Sequence, residues 1–317
     1  MNGVSLDLSI VVPTHNEATN ISALAKVMGT LLSAAGISHE IIFVDDGSSD
    51  HSWTEIQNLS SSQKGVTGIK FSRNFGKESA IAAGIRNAQG VYTITMDCDL
   101  QHPPKIALEM YELATKHQYD VIDAVKEQRQ KESTLNRIAA NVFYVTFKKL
   151  SGVDIHNSTD LRILSPKAKE AYLSLSESAH FFRGMTTWIG YRRAQIYFTP
   201  PNRNAGRSHW SIFKLLGLGI RALTSYSSAP LQIVTLLGII MALFSVVLGA
   251  WCLYIYLSHQ SLPGFTTVIL LQLIIGTVTM LGLGIMGEYV ARIYDEVKGR
   301  PKYLIAEKCS QSSVQER

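Results

Sequence analysis

The sequence predicts an α/β protein: a mostly parallel sheet with helices on both faces, then an amphipathic interface helix and two C-terminal transmembrane helices. Three observations predict it. Between residues 8 and 125, short apolar or β-branched runs alternate with helical stretches, the pattern of a parallel sheet joined by crossover helices. Polar clusters follow four of these runs, and such sheets bind ligands beyond the carboxyl ends of their strands. From Pro230 to Gly287 the chain carries no Asp, Glu, Lys or Arg.

The first run, LSIVVPT, ends in Thr14-His15-Asn16-Glu17 and leads into the helical stretch NISALAKVMGTLLSAAG. EIIFVDD closes on Asp45-Asp46-Gly47-Ser48, VTGIKFS on Arg73-Asn74, and VYTITMD on Asp97-Cys98-Asp99. PKIALEMYELATKH supplies a further helix and YDVIDAV a fifth strand. Four polar clusters at one sheet edge make a candidate site, although Ser48, Ser49 and Asp50 by themselves suit ordinary helix capping.

Hydrophobic residues make up 46% of the 317 positions and charged residues 17%, below the roughly 25% of a soluble domain. Two apolar blocks, Leu231 to Leu257 and Phe265 to Gly287, each exceed the roughly 20 residues a helix needs to cross a bilayer. The link SHQSLPG reads as a hairpin turn. Arg203, Arg207, Lys214 and Arg221 precede the first block, and Arg292, Lys298, Arg300 and Lys302 follow the second. The link holds only His259, so the positive-inside bias places both termini in the cytoplasm. Trp210 to Tyr226 alternates apolar stripes with Lys214 and Arg221, as a helix lying on a membrane surface does. The N-terminus shows no signal peptide. Cys98, Cys252 and Cys309 are too scattered for a disulfide framework or a zinc site, which fits a reducing compartment. The domain plan is therefore a cytoplasmic α/β part over 1–209, an interface helix over 210–228, a membrane hairpin over 229–287 and a cytoplasmic tail over 288–317.

Gly282, Gly284 and Gly287 spell G-x-G-x-x-G, but no strand precedes them, so a dinucleotide fingerprint fails its context. Small residues in a membrane helix instead suit close packing, and a homo-oligomer is expected. The net charge is +5, and no acidic residue lies between Glu177 and Glu288. That imbalance suits phosphates, a lipid surface or nucleic acid. The basic run has no nucleic-acid motif and abuts a membrane span, so nucleic acid is set aside.

In an extended chain residues i and i+2 face the same side, so Asp97, Asp99 and Gln101 converge. Crowded carboxylates repel unless a cation joins them. Oxygen ligands favour Mg²⁺ or Mn²⁺, which commonly bridge carboxylates and a substrate's phosphates. A proton-sharing dyad is the alternative. SRNFGKES does not meet the phosphate-loop pattern, and the Asp46-x-Ser48-x-Asp50 hint of a calcium loop ends on Gln57 rather than Glu. Arg73 and Lys77, after the third strand, are further candidate contacts for such a substrate.

The segments VVPTHNE, FVDDGSSD, SRNFGKESAIAAGI, MDCDLQHPP, NSTDLRIL, FFRGMTTWIGY and RNAGRSHW, followed by two apolar spans, resemble an inverting family 2 glycosyltransferase of the polyprenyl-phosphate subfamily. That group includes bactoprenol glucosyltransferases and, more distantly, dolichyl-phosphate mannose synthase. The resemblance runs from Leu8 to Tyr303. It implies a GT-A-type, Rossmann-like fold. It places Pro13, Thr14, Glu17, Asp45 and Asp46 at the nucleoside, and Asp97, Asp99 and Gln101 at the metal and diphosphate. It sets Asp160 near the transferred sugar and Arg203 and Arg207 over the phosphates, with Asp99, Asp160 and Arg203 as catalytic candidates. Arg183, Arg203 and Arg207 are candidates for the lipid phosphate; a helix-to-sheet ion pair is the other role open to Arg183, and a structural pairing with Arg162 or another arginine the other role open to Asp160. His209 stands where the family often has Lys, which removes a fixed charge. The implied reaction moves a hexose, first choice glucose from UDP-glucose, onto a polyprenyl phosphate, first choice undecaprenyl phosphate, at the bacterial inner membrane. UDP-N-acetylglucosamine, a modified arabinose donor and GDP-mannose stay open. A processive synthase is disfavoured because Q-x-x-R-W and additional spans are lacking. A nucleotide-sugar-binding protein without turnover, or a flippase component, is the rival from another class.

Overall fold

The computed structural model describes residues 6–126, 158–175, 181–199, 229–258 and 264–311. The strands are β1 (Leu8–Thr14), β2 (His39–Asp45), β3 (Val66–Phe71), β4 (Tyr92–Thr95), β5 (Val121–Lys126), β6 (Ser158–Leu164), β7 (Arg193–Phe198) and β8 (Ile305–Cys309). They form one sheet in the order β7-β5-β6-β4-β1-β2-β3-β8. β1 is buried along its whole length, as a central parallel strand is. It pairs in parallel with β2 and β4, and β2 with β3. The mostly parallel sheet expected from the alternating runs is therefore present. Its two departures come from strands the sequence reading did not assign. β6 runs antiparallel between β4 and β5, and β8 runs antiparallel along β3.

The helices of this unit are α1 (Ala18–Ala34), α2 (Ser52–Ser62), α3 (Lys77–Asn87), α4 (Pro104–His117), α5 (Pro166–Ser174) and α6 (Phe182–Trp188). In α1, Ile21, Leu24, Ala25, Met28 and Leu32 are buried, one stripe of a 3.6-residue period. α4 begins with Pro104, whose missing N–H costs nothing in a first turn, and stops where Gln118 turns left-handed at φ 54°. Alternation along β1 divides the core: Leu8, Ile10 and Val12 pack with residues of α1, α2 and α4, while Val11 packs with residues of α3, α5 and α6. Helices thus cover both faces.

The remaining helices, α7 (Ala229–Leu257) and α8 (Phe265–Val297), belong to a second compact unit. Leu231–Trp251 and Leu271–Val297 are long and apolar enough to cross a membrane. At Gly282 an added Cβ would stand 3.2 Å from Val234 Cγ1, so this small residue lets α8 approach α7. The interface helix expected over 210–228 lies outside the described residues. The expected tail over 288–317 divides: α8 continues to Val297, and β8 joins the sheet. Glu307 anchors β8 by accepting from Trp53 Nε1 (3.1 Å) and Lys70 Nζ (3.3 Å), and Tyr303 stacks on Phe71 at 4.9 Å.

Candidate active site

Because β1 to β4 are parallel, their carboxyl ends share one edge, and the polar clusters gather there. At the end of β2, Asp45 is fully buried and takes a bond from Ser48 N at 3.3 Å on Oδ1. Its Oδ2 has no partner among the described residues, and burial raises its pKa against the pull of Ser48. Asp46 accepts from the backbone N–H groups of Phe75 (2.6 Å) and Gly76 (2.9 Å), which ties the loop after β3 to β2. Gly47 permits that approach: it sits at φ 65°, and a Cβ there would lie 2.6 Å from Arg73 C. Pro13 and Thr14 are buried at the end of β1. Glu17 accepts from Asn20 Nδ2 at 2.5 Å, and Arg73 lies over the Phe75 ring at 4.4 Å.

β4 ends at Thr95, so Asp97, Asp99 and Gln101 are not alternate residues of a strand. The chain turns at 98 and 99, and Leu100 takes φ 55°. The turn gathers Asp97, Asp99 and His102, whose ligand atoms all lie within 4.8 Å of one another. Gln101 contributes its backbone N–H to Asp99 Oδ1 at 3.1 Å. His102 was absent from the sequence reading, which followed an extended alternation that stops at Gln101; its nearness to the carboxylates in DCDLQHPP was the available signal. It is 2% exposed, tilted against Phe198, and neither ring nitrogen has a partner among the described residues. Burial lowers its pKa despite the pull of Asp97, leaving a neutral imidazole. Two carboxylates and an unpartnered neutral imidazole fit a divalent cation. Cys98, between them, is no ligand of this kind: burial and the charges of Glu17 and Asp99 push its thiol up to about 12.

Asp160 reaches the same place by a different route. β4 and β6 pair Thr93 with Leu164 and Thr95 with Arg162, a register that continued by two residues sets 160 across from 97. Lys77 Nζ, at the start of α3, bridges the two, 2.5 Å from Asp97 and 2.7 Å from Asp160. Burial would lower the Lys77 pKa, but Asp97 and Asp160 together raise it. Arg183 Nε on α6 donates to Asp160 Oδ1 at 2.6 Å, so the helix-to-sheet ion pair is present. Burial pushes Asp160 up, yet the Arg183 hydrogen bond and charge, with Lys77, hold it well below the usual carboxylate range. Arg162 is not its partner: it is fully buried and pairs with Asp123, which also pairs with Arg193. Glu78, also absent from the sequence reading, accepts from Phe182 N at 2.7 Å. Arg203, Arg207 and His209 lie outside the described residues.

A mostly parallel sheet with helices on both faces, at one edge of which Asp97 after β4 and Asp160 on the antiparallel β6 meet Lys77, has the GT-A-type fold of glycosyltransferases. The glucosyl-3-phosphoglycerate synthase of Mycobacterium tuberculosis, solved with Mn²⁺, UDP and glucosyl-3-phosphoglycerate, shares this fold: TM-score 0.51, 16% identity, 70% of this chain and 80% of that one. Residues 9–182 match the glycosyl transferase family 2 model, and the chain belongs to that family. An uncharacterised glycosyltransferase of Synechocystis is 33% identical over 309 residues, 96% of each chain. A bactoprenol glucosyl transferase of Shigella phage SfII is 33% identical over 302 residues, 95% of this chain and 97% of the relative. A prophage bactoprenol glucosyl transferase homolog of Escherichia coli is 32% identical over the same length, with 95% and 98% covered.

Proposed function

We propose that this glycosyltransferase moves a hexose from a nucleoside diphosphate to a polyprenyl phosphate with inversion. Glucose from UDP-glucose and undecaprenyl phosphate are the first choices, at the cytoplasmic face of the bacterial inner membrane. The observation that carries the reading is the meeting of Asp97, Asp99 and His102 with Lys77 and Asp160 at one sheet edge. Relatives named bactoprenol glucosyl transferases, similar along almost the whole chain, support the donor and the lipid. Two apolar helices support the membrane location.

Asp97, Asp99 and His102 would hold Mg²⁺ or Mn²⁺; the imidazole among the donors favours Mn²⁺. When bound, such an ion is a Lewis acid that offsets negative charge on a departing diphosphate. The other roles belong to side chains of this chain. The Oδ2 of Asp45, buried and without a partner among the described residues, would accept an N–H of the base, with Pro13, Thr14, Glu17 and Arg73 as the further nucleotide-sugar contacts. Asp46 holds the loop that presents Lys77. Lys77 brings a positive charge to the phosphate side of the sugar. The acceptor phosphate is already anionic, so its oxygen attacks the anomeric carbon without a strong base. The bond from that carbon to the β-phosphate oxygen breaks, and its electron pair leaves with the nucleoside diphosphate. Asp160 is held ionised between two cations, so its part is to fix Lys77 and Arg183 rather than to take a proton. Arg183, still a third exposed, then serves the acceptor phosphate. Arg203 and Arg207 are the further candidates for the phosphates.

The chain leaves the sheet unit before α7 and rejoins it at β8. Two crossings return a chain to its starting side, which supports a membrane hairpin with both ends on one side, and the basic residues flanking the apolar blocks support the cytoplasm as that side. Self-association through the spans completes the proposal. The deciding experiment incubates purified full-length protein with Mn²⁺ or Mg²⁺, undecaprenyl phosphate and, in turn, UDP-glucose, UDP-N-acetylglucosamine, a UDP-arabinose derivative and GDP-mannose. A labelled lipid product from UDP-glucose is expected. A lipid product from another donor alone reassigns the sugar, and none from any donor rejects the transfer.

A further inference from the structure

Helix α6 spans 7 residues and has no side-chain N-cap of its own. Its place is set by groups from other elements. At its start, Glu78 of α3 accepts the Phe182 N–H at 2.7 Å, a contact across 104 residues of sequence. On its inner side, Arg162 of β6 donates to Arg183 O at 3.2 Å and to Thr186 Oγ1, and lies 5.6 Å over the Phe182 ring. Arg162 is itself fixed by Asp123. Between these two attachments stands Arg183, whose Nε meets Asp160.

We propose that Glu78 is a positioning residue for the transfer reaction: together with Arg162 it holds α6 so that Arg183 meets Asp160 at the site. The proposal rests on the transfer reading above. Glu78 touches no reacting group and acts through Arg183. Satisfying one backbone N–H needs only a neutral acceptor. A carboxylate in this place is costly, because burial and the nearby charge of Asp160 push its pKa up to about 7. The facing groups that favour its charge are Arg183 and Lys77, the two cations that Asp160 also holds. The carboxylate therefore holds the helix that bears Arg183 by a hydrogen bond, while the charges of Arg183 and Lys77 favour its ionised form. A misplacement of about 1 Å in such a group can cost about a hundredfold in rate.

The test is a double-mutant cycle in the full-length protein with E78A, R183A and the pair, plus E78Q as the variant that keeps the acceptor. Steady-state transfer, donor binding and hydrogen exchange are read together. E78A is expected to lower kcat by about tenfold to a hundredfold with donor affinity unchanged. E78Q should recover most of the protection of α6 amides and only part of kcat. In the R183A background E78A should cost less than about twofold, because its route is already gone. Equal losses in both backgrounds, or wild-type kcat in E78A, overturn the proposal. So does faster exchange in E78A spread evenly over α1, α4 and α6, which marks general destabilisation. If the wild-type protein transfers no sugar from any donor, the function falls, and exchange confined to α6 still decides the clamp.

Discussion

The carboxylates at the end of β2 and the carboxylate on β6 are handled in opposite ways. Asp45 and Asp46 meet backbone N–H groups and a serine, and burial raises their pKa values. Asp160 is nearly as buried but lies between Lys77 and Arg183, and its pKa falls well below the usual range. The β2 pair suits a ligand that brings its own N–H and little charge, as a base does. The β6 carboxylate suits a place where anions arrive and cations must already be in position. On the proposed function, uncharged recognition and charge neutralisation would occupy different strands of one sheet edge, with the Asp97, Asp99 and His102 cluster following β4.

The largest expected effect lies in that cluster. D99A should fold and insert, and lose about a hundredfold to a thousandfold in kcat, since metal charge stabilisation is worth several kcal/mol. Wild-type turnover by D99A with Mn²⁺ present removes the cluster from the chemistry. Next comes the contrast itself. D160N leaves Lys77 and Arg183 without their shared counter-charge, and should lower both kcat and the thermal midpoint. D45N should keep its midpoint and weaken donor binding by about tenfold to a hundredfold, the worth of a hydrogen bond to a charged group. If D45N unfolds as readily as D160N, the division of labour between the strands fails. A smaller effect separates His102 from Gln101. H102A should weaken Mn²⁺ binding, followed by the loss of the free-ion electron spin resonance signal, and Q101A should not; the reverse order returns the third ligand to Gln101.

The smallest effect is a pH dependence of stability. The folded Glu78 pKa of about 7 lies above its ordinary value of 4.5, so the folded state binds the proton more tightly between these values. Its contribution is fully present below about 4.5 and lost as pH rises through about 7. The wild-type midpoint should therefore fall relative to E78Q from pH 5 to pH 8. Asp160 adds nothing in that window, because its pKa is lowered and its contribution is lost only in acid. Parallel curves for the two proteins contradict the burial assigned to Glu78.

Much of this was legible before any coordinates. The runs that became β1 to β5, the stripe of α1 and the two apolar spans are local patterns with fixed periods. Asp97 and Asp99 were legible because crowded carboxylates after a strand demand a reason. His102 was not, because an extended geometry was carried through a turn where Leu100 is left-handed. The strands β6 and β8 were not assigned, since each gains its partner from a distant part of the chain.

Local sequence patterns suffice for the class: an α/β domain with acidic strand ends, joined to two helices apolar enough for a membrane. Periodicity and composition act over a few residues, so they are readable along the chain. Which charges meet depends on the folded arrangement of distant segments. Lys77 and Asp160 lie 83 residues apart, and Glu78 and Phe182 lie 104 apart. Lys77 meets Asp160 because β6 enters antiparallel between β4 and β5, a choice of sheet order set by the packing of the whole domain.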